Sequence, residues 1–192
     1  MEKLIAGFIN DSITAKQGML APEQVAMLKA ITEAIVKAYK AGKKILVCGN
    51  GGSAADAQHF TAELVSRFER ERQALPALAI TTNTSTITAI GNDYGYDATF
   101  RRQIEAFAQE GDVVIGISTS GNSANVLLAM EEAKKRRALT VGLTRKQGGK
   151  LKGATDLCFC APSDHTPRVQ ECHILAIHII CKLVEETLFG DK

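Results

Sequence analysis

The chain has 192 residues, 45% of them apolar, with 23 Lys and Arg set against 21 Asp and Glu. Apolar content at this level supports a sizeable core and excludes a disordered chain, and a formal net charge of +2 excludes a protein that works by bulk attraction to nucleic acid or to an anionic membrane. Aromatics make up only 5%, without Trp, so the interleaved aromatic and basic residues of a single-strand-binding surface are missing.

Residues 3–41 read as two helices. Phe8, Ile13 and Met19 mark the first. Ala21-Pro22-Glu23 opens the second, with proline at an early helical position. Val25, Leu28, Ile31, Ile35, Val36 and Tyr39 then recur at three- and four-residue intervals, a core-facing stripe, and Gly42 is placed to stop it. From here apolar runs alternate with helical stretches. Strands are expected at 44–48, 78–81, 113–117, 139–143 and 157–160. Helices are expected from Ser53 to about Arg70, over 84–109 with a break at Gly91–Gly95, from the 118–123 loop to about Arg137, and from about Arg168 to Leu188. Continuous apolar strands separated by helices predict a doubly wound α/β fold with a five-stranded parallel sheet and ligands at the carboxyl ends of its strands. The length fits one domain over 1–192, with a helical extension at 1–41 and an α/β core at 42–192.

Cys48, Cys158, Cys160, Cys172 and Cys181 are odd in number, in a chain too long for a disulfide scaffold. They read as small buried hydrophobes of a reducing, cytoplasmic compartment. Met1-Glu2-Lys3-Leu4-Ile5 lacks the basic stretch and apolar core of a secretory signal, and no run approaches the ~18 apolar residues of a membrane span.

Two loops carry chemistry. Cys48-Gly49-Asn50-Gly51-Gly52-Ser53 follows the first core strand. Its glycines permit close backbone approach, Ser53 is a good N-cap, and the next helix start offers N–H donors to an anion. Gly49-x-Gly51-x-x-Ala54 formally fits a dinucleotide fingerprint, but that fingerprint wants an acid about 20 residues on. The second strand ends Ile80-Thr81-Thr82-Asn83 without one, which argues against a nucleotide or redox cofactor. Ser118-Thr119-Ser120-Gly121-Asn122-Ser123 puts four hydroxyls between a strand and a helix. Taken alone this is a polar connector; two such loops on neighbouring strands favour a phosphorylated small molecule.

His59 and Glu63 stand at i and i+4 on one helix face. Gln170 and His178, on an otherwise apolar last helix, lie within about 80° of each other around its axis, and His173 points elsewhere. Each histidine alone reads as a satisfied core or interface residue. If the two helices met, His59, Glu63, Gln170 and His178 would suit either zinc or general acid–base work.

The runs from Cys48 to Glu63 and from Ile117 to Asn125, with Ile90-Gly-Asn-Asp-Tyr-Gly95 and Arg168-Val-Gln-Glu-x-His-x-x-x-x-His178, closely resemble the phosphoheptose isomerases of the sugar isomerase (SIS) domain family. The resemblance covers essentially the whole chain. It implies conversion of sedoheptulose 7-phosphate to D-glycero-D-manno-heptose 7-phosphate, the first step toward the ADP- or GDP-heptose precursors of lipopolysaccharide core or other surface polysaccharide. It also implies a flavodoxin-like sheet, N-terminal helices that pack in a homotetramer with active sites at subunit interfaces, and a zinc ion, one per subunit. Carried over by residue, Glu63 is the base acting between C1 and C2, with His178 as its acid–base partner. His59, Glu63, Gln170 and His178 match metal ligands. Asn50, Gly51, Gly52, Ser53, Asn92 and Asp93 match substrate contacts, as do Glu63 and Gln170. Ser118, Thr119, Ser120 and Ser123 match the phosphate cradle. The chain departs from the pattern at Arg145 and Gln147, where relatives often carry Gly and Asp, and at Pro167, where some carry Asp.

A related tetrameric adaptor, which binds the bacterial replication initiator and is no enzyme, shares the glycine loop but lacks carboxylate and histidine at the positions of Glu63 and His178. Both residues are present here, which favours the enzyme. A sugar-phosphate sensor of the same family carries an attached DNA-binding or second domain, for which 192 residues leave no room.

Overall fold

The five apolar runs line up as one parallel sheet in a computed structural model that describes residues 1–190. Strands β1 (Ile45–Gly49), β2 (Ala77–Ala79), β3 (Val113–Ile117), β4 (Leu139–Thr144) and β5 (Leu157–Cys160) are ordered β2-β1-β3-β4-β5. Alternation along the strands sorts the core into two layers. Ile45, Val47, Val113, Ile115, Ile117, Val141, Leu143 and Phe159 face one side, and Leu46, Cys48 and Val114 face the other. Helices α1 (Glu2–Gly18), α2 (Pro22–Lys40), α3 (Gly52–Val65) and α8 (Thr166–Phe189) cover the first side. Helices α5 (Thr99–Phe107), α6 (Ala124–Lys135) and α7 (Gly149–Ala154) cover the second. Helix α4 (Thr84–Tyr94) follows β2.

The parallel doubly wound architecture is as expected from the sequence, and the differences have local causes. Helix α2 stops at Lys40 because Gly42 takes a φ of +69°, which a side chain resists. Its stripe is buried at Leu28, Ile31, Ile35 and Val36, but Val25 is exposed. Within the expected break at 91–95, helix α4 runs on through Gly91 and ends at Gly95, φ +85°. Gly148-Gly149 reads in the sequence as a turn; in the structure these two glycines, both at positive φ, lead into a further short helix, α7. Helix α3 ends at Val65, five residues short of the expected Arg70. The N–H groups of Phe68, Glu69 and Arg70 turn away from the helix to the Glu185 carboxylate of α8.

All five cysteines are free; Cys48, Cys172 and Cys181 are buried as expected, while Cys158 and Cys160 are half-buried. Helix α1 buries only Ala15, leaving Phe8 and Ile13 exposed. No helix among the described residues is long and apolar enough to cross a membrane.

Candidate active site

The sheet order reverses between β1 and β3, so the loops that leave their carboxyl ends diverge and open a crevice. Those loops are 49–53 and 118–123. They are tied together where Asn50 and Asn125 exchange side-chain hydrogen bonds of 2.9 Å in both directions, and Tyr96 Oη donates to Asn50 Oδ1 at 2.9 Å. Asn125 is buried in the first turn of α6, a polar anchor that periodicity cannot flag.

In the first loop Gly51 takes φ +55° and is itself the N-cap of α3; Ser53, expected as the cap, sits inside the first turn and is buried. Gly52 lies close against α8: a Cβ there would meet the Gln170 amide, which would have to move. In the second loop the Ser118 and Ser123 hydroxyls lie 2.9 Å apart, and Ser120 Oγ accepts from Asn122 N–H at 3.1 Å. Ser123 precedes α6 without spending its hydroxyl on a cap. Helix α7 backs this loop, with Leu151 N–H donating to Gly121 O at 2.9 Å and Lys150 N–H to Asn122 Oδ1 at 3.2 Å. The hydroxyls therefore stand on a braced platform beside a helix N-terminus, a site suited to phosphate oxygens.

Helix α8 meets α3 along its length. Gln170 touches Gly52, His178 touches His59 and Glu185 touches Phe68, pairs that share almost one sequence offset. The two helices thus run side by side in the same direction. His59 Nε2 lies 2.9 Å from His178 Nε2 and 3.2 Å from Glu63 Oε1. The His59 and His178 rings meet edge to face at 5.2 Å between centroids, and the Phe68 ring backs His178 at 5.5 Å. Glu63 keeps 21% of its side chain exposed and His59 43%, so both remain open to a ligand.

Among the described residues no three His, Cys, Asp or Glu side chains form a group that could hold a metal as they stand. The donor set nevertheless fits one. If His59 Nε2 carries the proton, it faces two lone pairs at once, those of His178 and Glu63. Two imidazoles, a carboxylate and the Gln170 amide oxygen are suitable ligands.

Two predicted contacts stand apart. Asn92 and Asp93 are exposed at the end of α4 and hydrogen-bond each other at 2.9 Å; no hydrogen bond among the described residues ties them to either loop. His173 points away, as expected, and its Nε2–H donates to Thr144 O at 3.1 Å. Sequence reasoning passed over Asp56, one turn before His59. Burial pushes its carboxyl up to about 6 against the opposing pull of His59, and its Oδ2 is buried without a hydrogen bond. The departures are accommodated simply: Arg145 stands 3.9 Å from Asp164, and Pro167 lies in the first turn of α8.

The SIS domain pattern matches residues 9–145, which leaves α8, with Gln170 and His178, outside it. Over its full length the chain is 52% identical to the phosphoheptose isomerase of Clostridium acetobutylicum, covering 98% of that protein. Among solved structures it is similar to the phosphoheptose isomerase of Neisseria gonorrhoeae, with a TM-score of 0.91 and 42% identity over 96% of this chain and 98% of the other. The phosphoheptose isomerase of Francisella tularensis gives a TM-score of 0.91 at 38% identity, covering 96% and 97% of the two chains.

Proposed function

The chain belongs to the SIS domain family, within its phosphoheptose isomerases, and from that premise we propose that Glu63 and His178 carry an aldose–ketose isomerisation of sedoheptulose 7-phosphate to D-glycero-D-manno-heptose 7-phosphate. The observation that supports this assignment of roles is the seam where the Glu63 carboxylate and the His178 imidazole both meet His59, beside two loops built for an anionic sugar. The relatives named above are enzymes, and nothing favours the adaptor reading.

Ser118, Thr119, Ser120 and Ser123 take the phosphate, anchoring the flexible open-chain sugar by the end that does not react. Binding energy gained there holds C1 and C2 against the base. Asn50, Gly51, Gly52 and Ser53 take the hydroxyls. Glu63 removes a proton from C1 and returns it to C2 after the enediol forms. His178 gives a proton to the oxygen on C2 and accepts the one leaving the oxygen on C1, so no charge builds on the substrate and no redox cofactor is consumed. His59, Glu63, Gln170 and His178 would hold zinc, which when bound polarises the substrate carbonyl.

Helix α1 exposes Leu4, Ile5, Phe8, Ile9 and Ile13 along one flank, an apolar face that monomers rarely leave bare. That exposure supports a homotetramer whose subunits pack through the N-terminal helices and close the site between them, with 1–192 acting as one SIS unit in the cytoplasm. The test is to incubate the pure protein with sedoheptulose 7-phosphate and follow the aldose signals by NMR. Aldose is expected, with a slower rate after chelation and recovery on adding zinc. Absence of aldose from metal-supplemented protein overturns the activity, and a rate indifferent to chelation and zinc overturns the metal.

A further inference from the structure

Beneath the site lies an ion pair that the reaction itself does not use. Arg72 and Glu185 expose only 1% of their side chains each, and Arg72 Nε donates to Glu185 Oε1 at 3.1 Å. The other hydrogen bonds of the pair among the described residues go to backbone at the end of α3 or in the segment after it, and the Arg72 guanidinium lies over the Phe189 ring. Arg72 Nη2 donates to Glu63 O at 2.8 Å, and Nη1 donates to Leu64 O at 2.7 Å, Gln73 O at 3.0 Å and Ser66 O at 3.3 Å. Glu185 Oε1 accepts from Phe68 N–H at 2.8 Å, and Oε2 accepts from Glu69 N–H and Arg70 N–H, both at 3.0 Å. Those three backbone donors and Arg72 hold the carboxyl below its ordinary range although burial works to raise it.

The position of this pair matters. Glu63 is in the last turn of its helix, where carbonyls have no partner within the helix and the chain frays. The Arg72 fork satisfies two of those carbonyls at once, one of them that of Glu63, and a point charge on a flexible stem would not. Glu185 lies two helical turns beyond His178 on α8 and fixes the N–H of Phe68, whose ring backs His178. One pair thereby ties down the Glu63 backbone and the backbone of Phe68, whose ring backs His178.

We infer that Arg72 and Glu185 are positioning residues for the isomerisation, holding Glu63 and His178 in register across the α3–α8 seam. The inference rests on Glu63 and His178 being the acid–base pair. Its test compares Arg72→Lys with a matched control, Asp112→Asn. Asp112 is also 1% exposed and ion-paired, to Lys44 at 2.6 Å, and it accepts from Lys44 N–H and Gln109 N–H at the opposite end of the sheet. With the folded fraction fixed by circular dichroism at the assay temperature, Arg72→Lys is expected to lose tenfold or more in kcat with KM changed less than twofold. Asp112→Asn, destabilised to a similar Tm, is expected to keep kcat within twofold. Glu185→Gln reads the same clamp from α8 if Arg72→Lys does not fold.

The decisive arm repeats Arg72→Lys on Glu63→Gln. A residue that acts through Glu63 costs less than twofold of the residual rate once that carboxylate is gone. An equal fractional loss in both backgrounds, or a kcat loss in Asp112→Asn as large as in Arg72→Lys, overturns the inference and leaves the base assignment standing. Near-normal turnover by Glu63→Gln alone overturns the base assignment and the clamp together.

Discussion

Glu63 shows how far a residue's role depends on what it faces. The same carboxylate on an open helix would make an ordinary i,i+4 contact with His59; here the last helix adds His178 to the pair. Glu63→Gln keeps the shape and removes the carboxylate proposed as the base, so turnover should fall by about 10²–10⁴, read by NMR on the aldose signals, with the far-ultraviolet circular dichroism unchanged. His173, five residues before His178, has the opposite fate. Burial, only partly offset by its bond to Thr144, takes its imidazole from 6.5 down to about 4. The unfolded chain binds a proton below about 6.5 that the fold refuses until about 4. The stability this residue contributes is thus complete above 6.5 and drains away as the pH falls toward 4. Thermal melts between pH 7 and 4.5 should show a declining Tm, and His173→Asn, which can still donate to the Thr144 carbonyl, should flatten the decline.

At the scale of elements the α3–α8 seam brings the candidate residues together, and Gly52 packs there against Gln170. Gly52→Ala needs no unusual backbone but puts a methyl into the Gln170 amide. It should lower Tm by several degrees in differential scanning fluorimetry and weaken zinc binding in calorimetry, whereas Gly91→Ala, which meets open space, should do neither. This seam also marks what was legible in the sequence. Strands announced themselves as unbroken apolar runs, because both faces of a parallel sheet are covered. The pairing of His59 with Glu63 was legible because helical spacing is local. The pairing with His178 was not, since it spans 119 residues and depends on two helices aligning. The early end of α3 was hidden for the same reason, its cause being Glu185 on another element. Helix α7 was lost behind Gly148 and Gly149, which read equally well as a turn.

For the molecule as a whole, the small net charge fits the proposed site, in which an anionic sugar is bound by hydroxyls and helix ends at one crevice and not by a charged surface. The exposed flank of α1 belongs to this scale too. A double change Ile5→Asp and Phe8→Asp places two charges on it, and sedimentation should show the assembly shifting to smaller species with activity falling in parallel.

The parallel seam has a further consequence in time. Synthesis runs from the N-terminus, and domains begin to fold as they emerge. All five strands, both loops, Glu63 and the Arg72 that caps its carbonyl precede α8, so the sheet and its hydroxyl loop can form on the ribosome while the Glu63 carboxylate still lacks His178. On the proposed roles, catalytic competence arrives late and at one stroke, with the helix that supplies Gln170, His178 and Glu185 together, and a chain stalled before residue 166 is expected to hold a sugar phosphate without turning it over.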